Sequence, residues 1–528
     1  MAKNIFNSVQ YPKVGANTFD LSHDVKLSFR MGGLYPTVVM DCLPGDRVRM
    51  SSETMLRFAP LISPVMHRVN VTTHFFFVPN RLLWPNWEHW ITGNKDVESP
   101  YIVIDSSGPG DVPQGSLGDY FGLPSETSGI QGEKINALPF AAYQMIYSEY
   151  YRDQNLLSDA LPTGFSPLVD GDNSSEWTSI VQDPVKNRAW MHDYFTASLP
   201  FAQKGDAVTL PLGNFSDVDV VMATNPNIPK ILKGPGPTYV PIDTDGALRG
   251  DATNGGLVYG TNAVGSTNPV AKFDPNGSLV ARTSNLEAEA ADINTLRRAF
   301  RLQEWLEKNA RGGTRYIENI MAHFGVRSSD ARLNRPEYLG GSRQKMVISE
   351  VLSTAETEVP VGQMAGHGIS VGSGRDFTYR CEEHGWIIGL VNVQPVTAYQ
   401  QGVDRKFSRP DRLDYAWPTF AHIGEQEVLN KELYVSNPSY NSGTFGYVPR
   451  YAEYRYMNSR VAGEMRTSLA HWHLGRIFTT QPNLNANFVN SNPSTRIFAV
   501  ETGDHIYGHI FNNIKALRKL PKFGTPSF

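Results

Sequence analysis

Hydrophobic and polar residues alternate most regularly in Val69-Asn-Val-Thr-Thr-His-Phe-Phe-Phe-Val78, where Val69, Val71, Thr73, Phe75 and Phe77 share one face. A period of two predicts a strand, and Asn70, Thr72 and His74 on the opposite face predict one that is half-buried until Phe76. Further strands are expected at Gln344–Leu352, Trp386–Val393 and Arg496–Val500, whereas the Pro- and Gly-punctuated start reads as irregular up to residue 46. Helical spacing is rarer. Pro139 in a first turn leads into Phe140, Tyr143, Ile146, Tyr147 and Tyr150, an aromatic stripe at intervals of three and four. Ser284-Asn-Leu-Glu287 is a capping box that opens a helix through Ile293, Leu296, Phe300 and Trp305 to a stop at Gly312-Gly313. A second, short helix is expected over Arg315–His323, ending at Gly325. Many strands separated by long excursions predict a β-sandwich or jelly roll.

Between Gln203 and Thr283 this rhythm is lost. Eleven Gly, eight Pro and seven Asn stand in those 81 residues, with turn runs such as Lys233-Gly-Pro-Gly-Pro-Thr238 and Asp274-Pro-Asn-Gly277. Loops longer than about 12–15 residues are uncommon in compact domains and tend to carry function. Three apolar islands (Val218, Val220 and Val221; Ile231 and Leu232; Leu257, Val258 and Tyr259) could anchor the excursion, so a surface elaboration on a rigid scaffold is expected rather than disorder.

Composition narrows the class. With 46 Gly and 35 Pro in 528 residues and 11% aromatics, the chain suits an all-β protein with many turns and large contact surfaces. The start has no apolar core of about 7–15 residues, so no secretory signal is expected, and no apolar run approaches the roughly 18 residues of a membrane span. Only Cys42 and Cys381 occur, far apart in sequence, which predicts synthesis in a reducing cytosol and stability from packing or assembly rather than disulfides. The net charge of −4 is unevenly distributed: Lys3 and Lys13 precede Asp20, and Lys515, Arg518, Lys519 and Lys522 follow Asp504, with no acid in either end. Without those six cations the body, 20–504, stands at −10. Basic ends on an acidic body predict that the ends meet a polyanion; the competing reading is a solvated tail.

No motif carries convincing catalysis. Gly368-Ile-Ser-Val-Gly372 has the G-x-S-x-G form, but Gly372 and Gly374, two glycines in three residues, discourage the helix a nucleophile elbow needs, so a Gly-rich loop is expected. His471-Trp-His473 and His505-Ile-Tyr-Gly-His509 lack the acid of a zinc helix and read as polar interface or satisfied core histidines, with no metal expected. Glu382-Glu383 and Glu425/Glu427 do not define a glycosidase pair. Arg450, Tyr451, Tyr454, Arg455 and Tyr456 interleave cations with aromatics, a mixture that stacks bases but is favoured here as a subunit contact. Trp84, Trp87 and Trp90 read as a buried corner or a second subunit contact.

Several segments are similar to a known family. Phe75-Phe-Phe-Val-Pro-Asn-Arg-Leu-Leu-Trp84, Tyr316-Ile-Glu-Asn-Ile-Met-Ala-His-Phe-Gly-Val326, Val391-Asn-Val-Gln-Pro-Val396, Tyr399-Gln-Gln-Gly-Val-Asp-Arg405, Pro418-Thr-Phe-Ala-His-Ile-Gly-Glu-Gln426, Pro449-Arg-Tyr-Ala-Glu-Tyr-Arg455 and Lys522-Phe-Gly-Thr-Pro-Ser-Phe528 resemble the major capsid proteins of Microviridae, nearest the gokushovirus branch. The resemblance spans nearly the whole chain and weakens across 203–283. It implies an all-β, single eight-stranded antiparallel jelly roll of the viral capsid type, with very long loops and a few short helices. The core would comprise 1–202 and 284–528, with 203–283 inserted as a protrusion at the three-fold axes for host attachment. It further implies a T=1 icosahedral shell around circular single-stranded DNA, without enzymatic activity or cofactor. The implied partners are copies of itself, the DNA, internal scaffolding and DNA pilot proteins, and a bacterial surface receptor, with assembly in the host cytoplasm and residence in the virion. The basic ends (Lys3, Lys13, Lys515, Arg518, Lys519, Lys522) would face the genome. A jelly-roll lectin or glycoside-active enzyme is the alternative, and it would need a carboxylate pair or metal constellation that the sequence does not present.

Overall fold

The computed structural model describes residues 15–208 except 95, 105–111, 126–129, 131 and 158–167. It also describes six short strands between 219 and 282, and residues 293–523 except 353–363, 375 and 501. The chain divides into two compact units, 1–205 with 305–528, and 206–304.

Two antiparallel sheets make the first unit. The strands are β1 (Asn17–Asp20), β2 (His23–Phe29), β3 (Tyr35–Cys42), β4 (Arg47–Phe58), β5 (Val69–Pro79), β6 (Glu337–Lys345), β7 (Val347–Leu352), β8 (Met364–Ser373), β9 (Phe377–Arg380), β10 (Gly385–Pro395) and β11 (Ile506–Arg518). A seven-stranded sheet runs β1-β11-β4-β8-β7, with β2 also on β11 and β9 also on β4; a four-stranded sheet runs β6-β5-β10-β3. The pairing is nested: β2 with β11, β3 with β10, β4 with β8 and β5 with β6. Residues 80–336 therefore connect two neighbouring strands of one sheet, β5 and β6. Among the described residues helices are few, and none is long and apolar enough to cross a membrane.

The inter-sheet core follows from alternation. In β4, Val48, Met50, Leu56 and Phe58 are buried while Arg47, Arg49, Glu53 and Arg57 are exposed. Val48 and Met50 join Ile514 and Ala516 of the same sheet and Val38, Met40, Phe75, Phe77 and Ile387 of the other in one apolar cluster with Cys42 and Cys381. Each fully buried aliphatic or aromatic side chain stabilises by roughly 1.5–3 kcal/mol relative to exposure.

Several expectations need correction. β5 is buried on both faces, because Leu138–Ile146 and the π-helical turn Tyr147–Tyr151 cover its second side: Tyr150 packs on Phe76, and the Tyr151 hydroxyl meets His74 Nδ1 at 2.7 Å. Residues 17–42 hold three strands where irregular chain was expected; β1 and β2 are stabilised by β11, nearly 500 residues away, rather than by local pattern. Gln344–Leu352 is broken at Met346, whose N–H donates to the Val69 carbonyl while the chain passes from one sheet to the other. Arg496–Val500 is no strand; the Arg496 guanidinium donates to the carbonyls of Ala470, His473 and Gly475 and gathers loops instead. Trp386–Val393 lies within β10 as expected.

The helices follow the sequence closely. Pro139 sits in the first turn of Leu138–Ile146, Ile293–Arg311 stops where Gly313 takes φ +98°, and Tyr316–Phe324 ends at Gly325 with φ +67°. The capping box at 284–287 lies outside the described residues. In the second unit, Asp219–Met222 pairs with Leu279–Arg282, Lys230–Leu232 with Tyr239–Pro241 and Leu248–Gly250 with Leu257–Tyr259. Val218 lies outside the described residues; the other residues of the apolar islands lie on strands of this unit.

Candidate functional site

Surfaces rather than clefts carry the predicted residues. The C-terminal basic run is not a tail: Lys515 and Arg518 belong to β11, central in the seven-stranded sheet. Lys515 points to the exposed face, directly across from Arg49 on β4 and Asp20 on β1. Arg518 turns the other way. Its Nε lies 2.9 Å from the carboxylate of Asp46, which is 1% exposed, and its Nη2 donates to the Asp41 carbonyl at 2.6 Å. That guanidinium is committed to the fold, which corrects its assignment to DNA. Lys519 and Lys522 are exposed just beyond the strand, and Lys3 and Lys13 lie outside the described residues. Arg47, Arg49 and Arg380 share the exposed face with Lys515 and were not singled out from the sequence; the period-two run Arg47-Val-Arg-Met50 was the available signal.

The tryptophan corner is mainly interior. Trp84 is 0% exposed, its indole N–H donates to Asp170 at 2.8 Å, and Trp90 packs on it with ring centroids 5.6 Å apart. Trp84 is core and cannot itself be a subunit contact. Trp87 and Trp90 are half-buried and pack with ring centroids 5.6 Å apart, tilted by 44°.

The arginine–tyrosine segment divides similarly. Tyr451 is buried in a left-handed conformation, φ +61°, with its N–H donating to Gln426 Oε1, and Arg450 lies over its ring at 5.0 Å. Burial removes Tyr451 from the contact surface. Tyr454, Arg455, Tyr456 and Met457 are exposed, and Arg409 stacks on Tyr454 at 4.3 Å. Phe407, Leu413, Tyr415, Trp417 and Ile423 are exposed on the neighbouring loops. Beneath them Glu432 and Glu453, side chains 2% and 5% exposed, hold Arg405 and Arg409 in ion pairs. Burial pushes the Glu432 carboxyl above its ordinary range, against the pull of the Leu429 N–H and Arg405.

The remaining motifs are structural. Ser370 is buried within β8, not in a loop, and its Oγ donates to the Lys345 carbonyl at 3.1 Å. Gly368 is needed there because a Cβ would sit 2.5 Å from the Phe58 ring. His473 and His505 face the carbonyls of Met465 and Val500 through Nε2, and His509 Nε2 lies 2.8 Å from Asp24. Among the described residues no three His, Cys, Asp or Glu converge as a metal site. Glu425 pairs with Arg311 and Glu383 with Arg81.

Comparison with known proteins decides the class. A family model described as capsid protein (F protein) matches residues 7–528. The chain belongs to that capsid protein family. It is 36% identical to capsid protein VP1 of Bdellovibrio phage phiMH2K, over 99% of this chain and 98% of that protein. It is likewise 36% identical to capsid protein VP1 of Chlamydia phage 1, over 99% and 97% of the two chains. Identity to capsid protein VP1 of Spiroplasma virus 4 is 31%, over 96% and 94%. The protein is thus a major capsid protein of Microviridae type, structural and non-enzymatic, which assembles with copies of itself and resides in the virion. A working surface made of exposed aromatics and sheet-borne cations fits that role.

Proposed function

We propose that this capsid protein builds a T=1 icosahedral shell around circular single-stranded DNA, on an eight-stranded jelly roll. The observation that carries the fold reading is the nested pairing of β2 with β11, β3 with β10, β4 with β8 and β5 with β6. Those eight strands fall four to a sheet, as two Greek keys wrapped together would place them; β1, β7 and β9 extend the edges. A closed shell follows from repeating heterologous contacts between identical copies. The exposed aromatics of 407–423 and 454–457, with Trp87 and Trp90, have the composition of such contacts.

The basic ends and the exposed cations of β11 and β4 would meet the genome. The 203–283 insertion would form a three-fold protrusion that touches the bacterial surface receptor, and the scaffolding and pilot proteins would join during assembly in the host cytoplasm. Electron cryomicroscopy of particles from infected cells tests the shell. Icosahedral T=1 symmetry with density for packaged DNA is the expected result; open sheets, tubes or a different triangulation would overturn the reading.

A further inference from the structure

The exposed face of the seven-stranded sheet contains two cross-strand pairs of like charge. Arg380 of β9 stands directly opposite Arg47 of β4, and Arg49 of β4 stands directly opposite Lys515 of β11. Directly opposed side chains on neighbouring strands lie about 5 Å apart at Cβ, where like charges repel and destabilise the sheet. The two rungs are adjacent along β4, so four cations form one patch, and Lys519 extends it beside Gly45. Among the described residues, acids facing the patch are few. Asp376 forms an ion pair with Arg49 at 2.8 Å, and Asp20, already bonded by Ser22, acts on Lys515 through its field. Arg47 and Arg380 have no ion-pair partner among the described residues. All of this stands on a body whose net charge is −10.

Self-repulsion in an otherwise acidic protein calls for a polyanion, and the flat, exposed geometry suits an extended backbone rather than an enclosed ligand. Alternate residues of β4 are spaced by about 7 Å, so successive rungs can each take a phosphate of one strand. On the same face Tyr507 (48% exposed) lies opposite Arg57, and Phe511 follows it toward the patch, offering rings on which unpaired bases can stack. We propose that Arg47, Arg49, Arg380 and Lys515 form a sequence-independent phosphate-backbone site for single-stranded DNA, on the sheet face rather than on a C-terminal tail. This rests on the genome reading above and specifies where on the subunit the DNA is held.

The test uses the full-length chain as unassembled subunits and a fluorescent oligothymidine, with affinity measured across a salt series. The variants are Arg47→Gln/Arg380→Gln, Arg49→Gln/Lys515→Gln, and Arg332→Gln as an exposed control outside the patch and outside both basic ends. Each double variant should flatten the slope of log affinity against log salt by roughly 1.4, about 0.7 for each phosphate of a single strand that is no longer neutralised, while the control keeps most of it. Because each double variant removes a like-charge rung, and the exposed Arg49–Asp376 pair contributes little, the thermal midpoint of the free subunit should stay level or rise. Wild-type binding with an unchanged slope in both double variants overturns this site and leaves the genome reading intact. No oligothymidine binding by the wild type at low salt overturns both. Unchanged DNA binding without particle formation assigns the patch to an acidic surface of a second copy instead, and likewise overturns it.

Discussion

Asp46 is nearly sealed from water, and the ion pair with Arg518 offsets the cost of burying its charge. Removing one partner of such a pair leaves the other uncompensated, which typically costs about 3–5 kcal/mol. Arg518→Gln should therefore destabilise the free subunit by about 3 kcal/mol in urea unfolding, whereas Lys519→Gln and Lys522→Gln should stay within about 0.5 kcal/mol. Equal, small effects from all three would mean that Arg518 is as dispensable as its exposed neighbours. Two histidines set a pH dependence at the same scale. Burial lowers His67 and His74 to about 4. An unfolded histidine titrates near 6.5, so below that pH the unfolded chain binds protons that the folded chain refuses. Their contribution is complete above about pH 6.5, falls as pH drops toward 4, and levels off below, with a ceiling of roughly 3 kcal/mol for each. The thermal midpoint should decline between pH 6.5 and 4, and His67→Asn with His74→Gln should weaken that decline. A slope identical in the double variant would assign the acid sensitivity to other groups.

Elements with a local cause were legible in the sequence, and those with a distant cause were not. Gly313 and Gly325 end their helices through left-handed backbone, a property carried by one residue, and both stops lie where the sequence puts them. β1 and β2, by contrast, exist because β11 reaches them from the other end of the chain. The break at Met346 and the strand identity of Gly368–Gly372 also depend on nonlocal partners, the Val69 carbonyl and the Phe58 ring. The site was legible to the same extent. Composition located the cations and aromatics, but which face each residue takes decided their use: Lys515 points outward and Arg518 inward on one strand, and Trp84 is interior while Trp87 and Trp90 are half-exposed. Trp84→Ala should therefore act as a core deletion, costing about 3–5 kcal/mol and abolishing soluble subunits before any assembly defect can be seen. Trp87→Ala should leave folded subunits. Soluble, folded Trp84→Ala subunits that fail only in assembly would return Trp84 to the interface.

For the whole molecule, the nested hairpin explains how one chain can bear so long an excursion. β5 and β6 are neighbours in the same sheet, so the chain leaves at 80 and returns at 336 at adjacent positions, although part of the connection, such as Leu138–Ile146, packs into the core. Within it, Asp219–Met222 and Leu279–Arg282 pair antiparallel, so the chain between 222 and 279 begins and ends on paired strands. Closing a loop costs free energy that grows only with the logarithm of its length, so replacing 223–278 by a short Gly/Ser turn should preserve that pairing and the sheets. If the insertion is the host-contacting protrusion, such particles should assemble in measurable yield, retain packaged DNA and fail to adsorb to host cells. Electron microscopy, nuclease-protected DNA and an adsorption assay on one preparation separate these outcomes. Deletion particles that adsorb normally would move host recognition to another surface. A deletion that leaves folded, DNA-binding subunits unable to form any shell would make the insertion a contact among symmetry-related copies, and the attachment role would be withdrawn.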